Sequence, residues 1–166
     1  LSTLSINGLS NLKYLYSSFN DLNTLDVSTN TNLRDLDVMN NSITTLNTSN
    51  LILLDYLECR NNQLTNLNVN SNVNLTALNC SNNLLTTLNV TALPLLQQLY
   101  CENNQLTNLQ FGANSLLMLL SCGENNLTTL NTSTLVGLSS IDCSNNQISN
   151  FDVSQNLNLN TFICSN

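Results

Sequence analysis

Six cysteines, Cys59, Cys80, Cys101, Cys122, Cys143 and Cys164, stand 21 residues apart, and the chain holds no others. A disulfide framework has no reason to keep a constant period. The same spacing runs through the rest of the sequence. Leu12, Leu33, Leu54, Leu75, Leu96, Leu117, Leu138 and Leu159 repeat on it, followed three residues later by Leu15, Leu36, Leu57, Leu78, Leu99, Leu120, Ile141 and Phe162. Asparagine recurs in step at Asn20, Asn41, Asn62, Asn83, Asn104, Asn125 and Asn146. A unit of this length repeated along a whole chain is one coil of a solenoid, in which each unit buries its apolar face only against its neighbours. The 166 residues therefore make an array of about eight coils.

In the coil that begins at Leu75, the residues Leu75, Leu78, Cys80, Leu85, Leu88 and Val90 are the inward set. Alternation around Leu78-Asn79-Cys80 and again around Leu88-Asn89-Val90 predicts two short strands with one buried face each. Stacking would then give two parallel ladders, one per side, with little or no helix. The cysteines take the position that Val38 fills in an earlier coil, which makes each a small buried hydrophobe. In-register parallel side chains do not aim their sulfurs at one another, so a reduced thiol ladder is expected. The asparagines are expected to satisfy backbone groups left unpaired where the chain turns out of a strand. A longer period of 42 residues overlies the first, for Leu9, Asn30, Leu51, Asn72, Leu93, Asn114, Leu135 and Asn156 alternate strictly.

The run L-x-x-L-x-C-S-N-N-Q-L-T-x-L-N-V, clearest over Leu54 to Val69 and Leu75 to Val90, resembles the bacterial leucine-rich repeats of the 21-residue, cysteine-ladder kind. Such repeats occur in internalin-like adhesins and in secreted surface proteins. The resemblance covers the whole chain and implies a leucine-rich-repeat solenoid whose first-strand face is a concave binding surface. Ser17 and Val38 depart from it, standing where cysteine is expected. The chain opens in the second half of one coil and stops inside another, without polar capping repeats. The expectation is a single solenoid over residues 1–166, an interior piece of a longer protein with further domains.

A formal charge of −7, from three basic and ten acidic residues, argues against nucleic acid or an anionic membrane as partner. No apolar run is long enough to cross a bilayer, so direct membrane insertion is not expected. With 8% charged residues and Asn, Thr and Ser solvating the surface, the composition fits an extracellular or cell-surface protein. There is no His, no glycine-rich phosphate loop and no Cys-x-x-Cys pair, so neither an enzyme nor a metal or other cofactor is expected. The sequons, including Asn47, Asn74 and Asn131, are what an Asn-rich chain produces by chance.

The outward positions of the first strand and the turn after it hold every tyrosine in the chain: Tyr14, Tyr16, Tyr56 and Tyr100. Phe19 and Met39 join them, with Asp35, Asp37, Glu58, Glu102, Glu124, Asp142 and one base, Arg60. Exposed aromatics among carboxylates can anchor a protein or stack on a glycan. The candidate site is therefore Tyr14, Tyr16, Phe19, Asp35, Asp37, Tyr56, Glu58, Arg60, Tyr100 and Glu102, densest towards the N-terminal coils. The bland alternative is that cross-strand tyrosines merely stabilise a sheet surface, leaving a spacer that projects another domain. On the opposite side, rows such as Thr24, Thr45, Asn66 and Thr87 form an uncharged Thr/Asn array, a third and weaker reading as an ice-binding face.

Overall fold

The structure is a computed structural model, and it describes residues 1–165. Strands of three residues recur along the chain: β1 (Tyr14–Tyr16), β2 (Asp35–Asp37), β3 (Tyr56–Glu58), β4 (Ala77–Asn79) and β5 (Thr87–Asn89). They continue with β6 (Gln98–Tyr100), β7 (Asn108–Gln110), β8 (Leu119–Ser121), β9 (Ser140–Asp142) and β10 (Thr161–Ile163). All but β5 and β7 form one eight-stranded parallel sheet in coil order. Each pair is in register at 21 residues, as in Tyr14 opposite Asp35 and Tyr56 opposite Ala77. Eight strands bound seven complete turns, so the solenoid has about seven coils rather than the eight counted from leucines. The leucine count includes Leu159, which opens a partial coil.

The second expected ladder is largely missing. Among the described residues only β5 and β7 pair on that side. The alternation there does its inward work, since Leu46, Leu67, Leu88, Leu109 and Leu130 are buried. Strand bonding is thus continuous on the first side and scarce on the second.

Between the two sides lies one continuous core. Leu33, Leu54, Leu75, Leu96, Leu117 and Leu138 are fully buried, as are Leu36, Leu57, Leu78, Leu99 and Ile141. Cys59, Cys80, Cys101, Cys122 and Cys143 are buried and unpaired, and Cys164 is free and exposed. Burial pushes the Cys59 and Cys101 thiols far up, and raises Cys143 to about 11. Several thiols donate a weak bond to a ladder carbonyl of the next coil, for example Cys59 Sγ to Asn79 O at 3.4 Å. Ser17, in the same inward position, is buried with its hydroxyl unpartnered.

The asparagine ladder performs the expected task. Asn83 Nδ2 donates to Cys80 O and Ser81 O in its own coil and to Cys59 O in the coil before. Its Oδ1 accepts the Leu64 N–H at 2.9 Å. Asn62, Asn104, Asn125 and Asn146 repeat the pattern one coil apart. The residue just before each of these asparagines has a positive φ: Phe19, Asn40, Asn61, Asn82, Asn103, Glu124 and Asn145, all near +53°. Asparagine tolerates this left-handed conformation better than other side chains with a Cβ, which accounts for the double Asn in most coils.

A second asparagine set explains the 42-residue period. Asn72 Nδ2 donates to Thr48 O and Leu51 O of the preceding coil, each at 2.9 Å. Asn30, Asn114 and Asn156 reach back in the same way. Coils that end in Leu are therefore stitched to the Asn coil that follows them, two by two.

Candidate functional site

The strand pleat sends alternate side chains outward, and the parallel register then aligns them in rows across the sheet. One row runs Tyr14, Asp35, Tyr56, Ala77, Gln98 and the next Tyr16, Asp37, Glu58, Asn79, Tyr100. Strands β1 to β3 therefore place three tyrosines and three carboxylates in one compact block. Tyr14, Tyr16 and Tyr56 are exposed by 57%, 64% and 39%. Tyr100 is half-buried on β6 and stands two strands beyond β3, outside the block.

Within the block the Tyr16 hydroxyl donates to Asp35 Oδ2 at 2.6 Å, and that bond raises the phenol above its ordinary range. Asp35 Oδ1 is shielded and has no partner. Asp37 Oδ1 accepts the Met39 N–H at 3.0 Å, which makes it partly a cap for the turn after its strand. Asn79 and Asp142 do the same for Ser81 and Ser144, so this row of side chains has a structural duty as well.

Glu58 lies deeper than its outward position suggested. It is only 5% exposed and accepts from the Arg60 N–H at 3.1 Å and from Asn79 Nδ2 at 3.0 Å. Burial raises its carboxyl above the usual range, and burial likewise raises Tyr56. Arg60 Nε stands 3.8 Å from Glu58 Oε1, the one ion pair among the described residues, and its Nη2 contacts Met39 Sδ at 3.3 Å. Glu58 and Arg60 thus brace the floor and rim of the block. Phe19 belongs to the turn rather than to the sheet: it holds a φ of 55° and is 73% exposed. Glu102 follows β6 near Tyr100, with Oε2 shielded and unpartnered. Among the described residues no group of three His, Cys, Asp or Glu side chains is placed to hold a metal ion.

One surface is hidden in the sequence. Ile52, Val73, Leu95, Leu116, Val136 and Leu157 are exposed in successive coils, along the edge where the chain returns towards the sheet. Their positions fall in turns and slip by one residue between some coils, so no strict column reveals them. On the opposite side the Thr/Asn rows border shallow grooves, one of about 390 Å³ lined by Thr45, Asn47, Asn66 and Asn68. A flat regular ladder is not present there among the described residues.

Fold, thiol ladder and 21-residue period together define a leucine-rich-repeat solenoid of the cysteine-ladder type. No family model matches the sequence, and no curated protein does. Solved structures do. The functional domain of InlJ from Listeria monocytogenes, described as including a cysteine ladder, is 34% identical with a TM-score of 0.72, over 95% of this chain and 40% of that one. The LRIM1/APL1C complex matches at 24% identity and a TM-score of 0.82, over 97% and 32%. This chain spans less than half the length of each. Its fold is that of a leucine-rich-repeat solenoid. A TLR13–ssRNA13 complex also matches, at 22% identity and a TM-score of 0.66, over 95% of this chain and 29% of that one.

Proposed function

We propose that the chain is a binding module of a secreted or cell-surface protein, engaging a protein partner through the outward face of its eight-stranded sheet at β1–β3. The observation that carries this reading is the exposure of Tyr14, Tyr16 and Tyr56 on three consecutive strands. Large aromatic side chains held on a rigid sheet offer contact area at low entropic cost, the property that makes tyrosine an interface anchor. Phe19 extends the apolar rim, Asp35 and Asp37 supply polar contacts, and Tyr100 with Glu102 provides a secondary contact further along. Net negative charge disfavours a polyanionic partner. A glycan is the second reading, supported by the same pairing of tyrosines with carboxylates. No catalytic role is proposed.

The test compares the wild-type chain with a Tyr14, Tyr16, Tyr56, Tyr100→Ala variant of verified fold. Both are presented to a glycan array and to surface-protein extracts. The expected result is a protein partner whose binding falls at least tenfold in the variant. A partner held equally by both would overturn the site, and silence from both would favour the spacer.

A further inference from the structure

We propose that the β1–β3 block is an arginine slot, in which Asp35 receives a guanidinium of the partner protein between the rings of Tyr14 and Tyr56. The inference rests on the concave-face reading and names what that face recognises.

The register places Tyr14, Asp35 and Tyr56 side by side on adjacent strands. Parallel strands lie about 4.8 Å apart, so the two tyrosines bracket the carboxylate at roughly 10 Å from each other. A cation above Asp35 would then sit about 5 Å from either ring, inside the ~6 Å reach of a cation–π contact. A flat guanidinium can face both rings while its edge meets a carboxylate, which a round ammonium cannot do equally well.

The charge distribution points the same way. The two outward rows of β1–β3 carry Asp35, Asp37 and Glu58 and no cation. Arg60, from the turn after β3, is engaged by Glu58 and Met39. Lys13 and Arg34 precede their strands, and neither forms an ion pair among the described residues. Asp35 is held in place by the Tyr16 hydroxyl on one oxygen, while its other oxygen is shielded and unmatched by any donor. For a guanidinium to reach that oxygen the side chains around it must shift; the Tyr14 ring is exposed, and exposed rings change rotamer readily, while the Tyr16 hydroxyl keeps its bond to Oδ2. A partner's guanidinium supplies the donor and the charge together.

The probe is Nα-acetyl-arginine amide, titrated into the isotope-labelled chain and followed by amide chemical shifts. The lysine and citrulline analogues run in parallel, with Asp35→Asn and Tyr14→Leu variants. Shifts are expected to cluster on residues 14–16, 35–37 and 56–58 and to saturate. Affinity should drop at least fivefold in each variant and for lysine, and citrulline should give no saturable shift. Shifts spread equally over distant acids such as Glu124 and Asp142, indifferent to Asp35→Asn, would overturn the slot, as would lysine binding as well as arginine. A tyrosine-dependent protein partner found without arginine binding would keep the concave-face reading and overturn the slot alone.

Discussion

At the scale of single residues, the buried polar atoms show how a repeat tolerates variation. Asn72 Oδ1 accepts from the Thr48 hydroxyl at 2.8 Å, and Asn156 Oδ1 accepts from Thr132 in the same way. At the junction between them Val90 cannot donate, and the Gly112 N–H serves Asn114 Oδ1 instead, at 2.7 Å. At the first junction, Ile6 occupies the corresponding place and Asn30 Oδ1 is left without a partner. Thr48→Val should therefore strand Asn72 Oδ1 and lower stability by about 1–2 kcal/mol, the cost of a buried acceptor left unpaired. Urea denaturation would measure it. Thr48→Ser keeps the donor and should cost less, and a neutral Thr48→Val would show that the acceptor finds another donor.

At the scale of the element, each coil contributes one buried inward side chain at the end of its first strand, in five coils a thiol. Because burial raises these thiols, they stay protonated in the folded chain at pH values where an unfolded cysteine, near 8.5, has ionised. The unfolded state then holds fewer protons, so stability must fall as pH climbs. Urea midpoints should be flat up to about pH 8 and decline above it, by up to about 1.4 kcal/mol per thiol per pH unit. Cys80→Val and Cys101→Val, which copy the side chain already present at Val38, should make the decline shallower; an unchanged slope would assign it to other groups. The inward set and the thiol ladder were legible in the sequence because a 21-residue period multiplies every weak local signal. The second ladder was over-read for the same reason. Alternation around Leu46 or Leu67 reports which side chains are buried, whereas pairing depends on the distance between coils, which no single coil encodes. Glu58 is a similar case, since its outward phase is correct and its burial comes from Arg60, Asn79 and Tyr56 packed around it.

At the scale of the whole molecule, the aromatic block and the regular body are separate features. The body follows from the period; the block follows from the places where individual coils depart from it, Tyr14, Tyr16 and Tyr56 among coils that carry Ala77, Asn79 or Ser121 instead. The stitching of coils in pairs has a mechanical outcome. Each Leu-ending coil carries an added tie to the next through Asn30, Asn72, Asn114 or Asn156, beyond the asparagine ladder that crosses every junction. At the following junctions leucine takes that position, and the return-turn amide among the described residues is Asn50 Nδ2 on Ser28 O. Pulled from its two ends, the chain should yield first at the junctions that lack the added tie and unravel 42 residues at a time. Each event would release about 140 Å of extended chain. Single-molecule stretching that instead found uniform 21-residue steps would show that the ties add no measurable resistance. A tether built this way lengthens in long discrete strokes under load and keeps the neighbouring pairs intact.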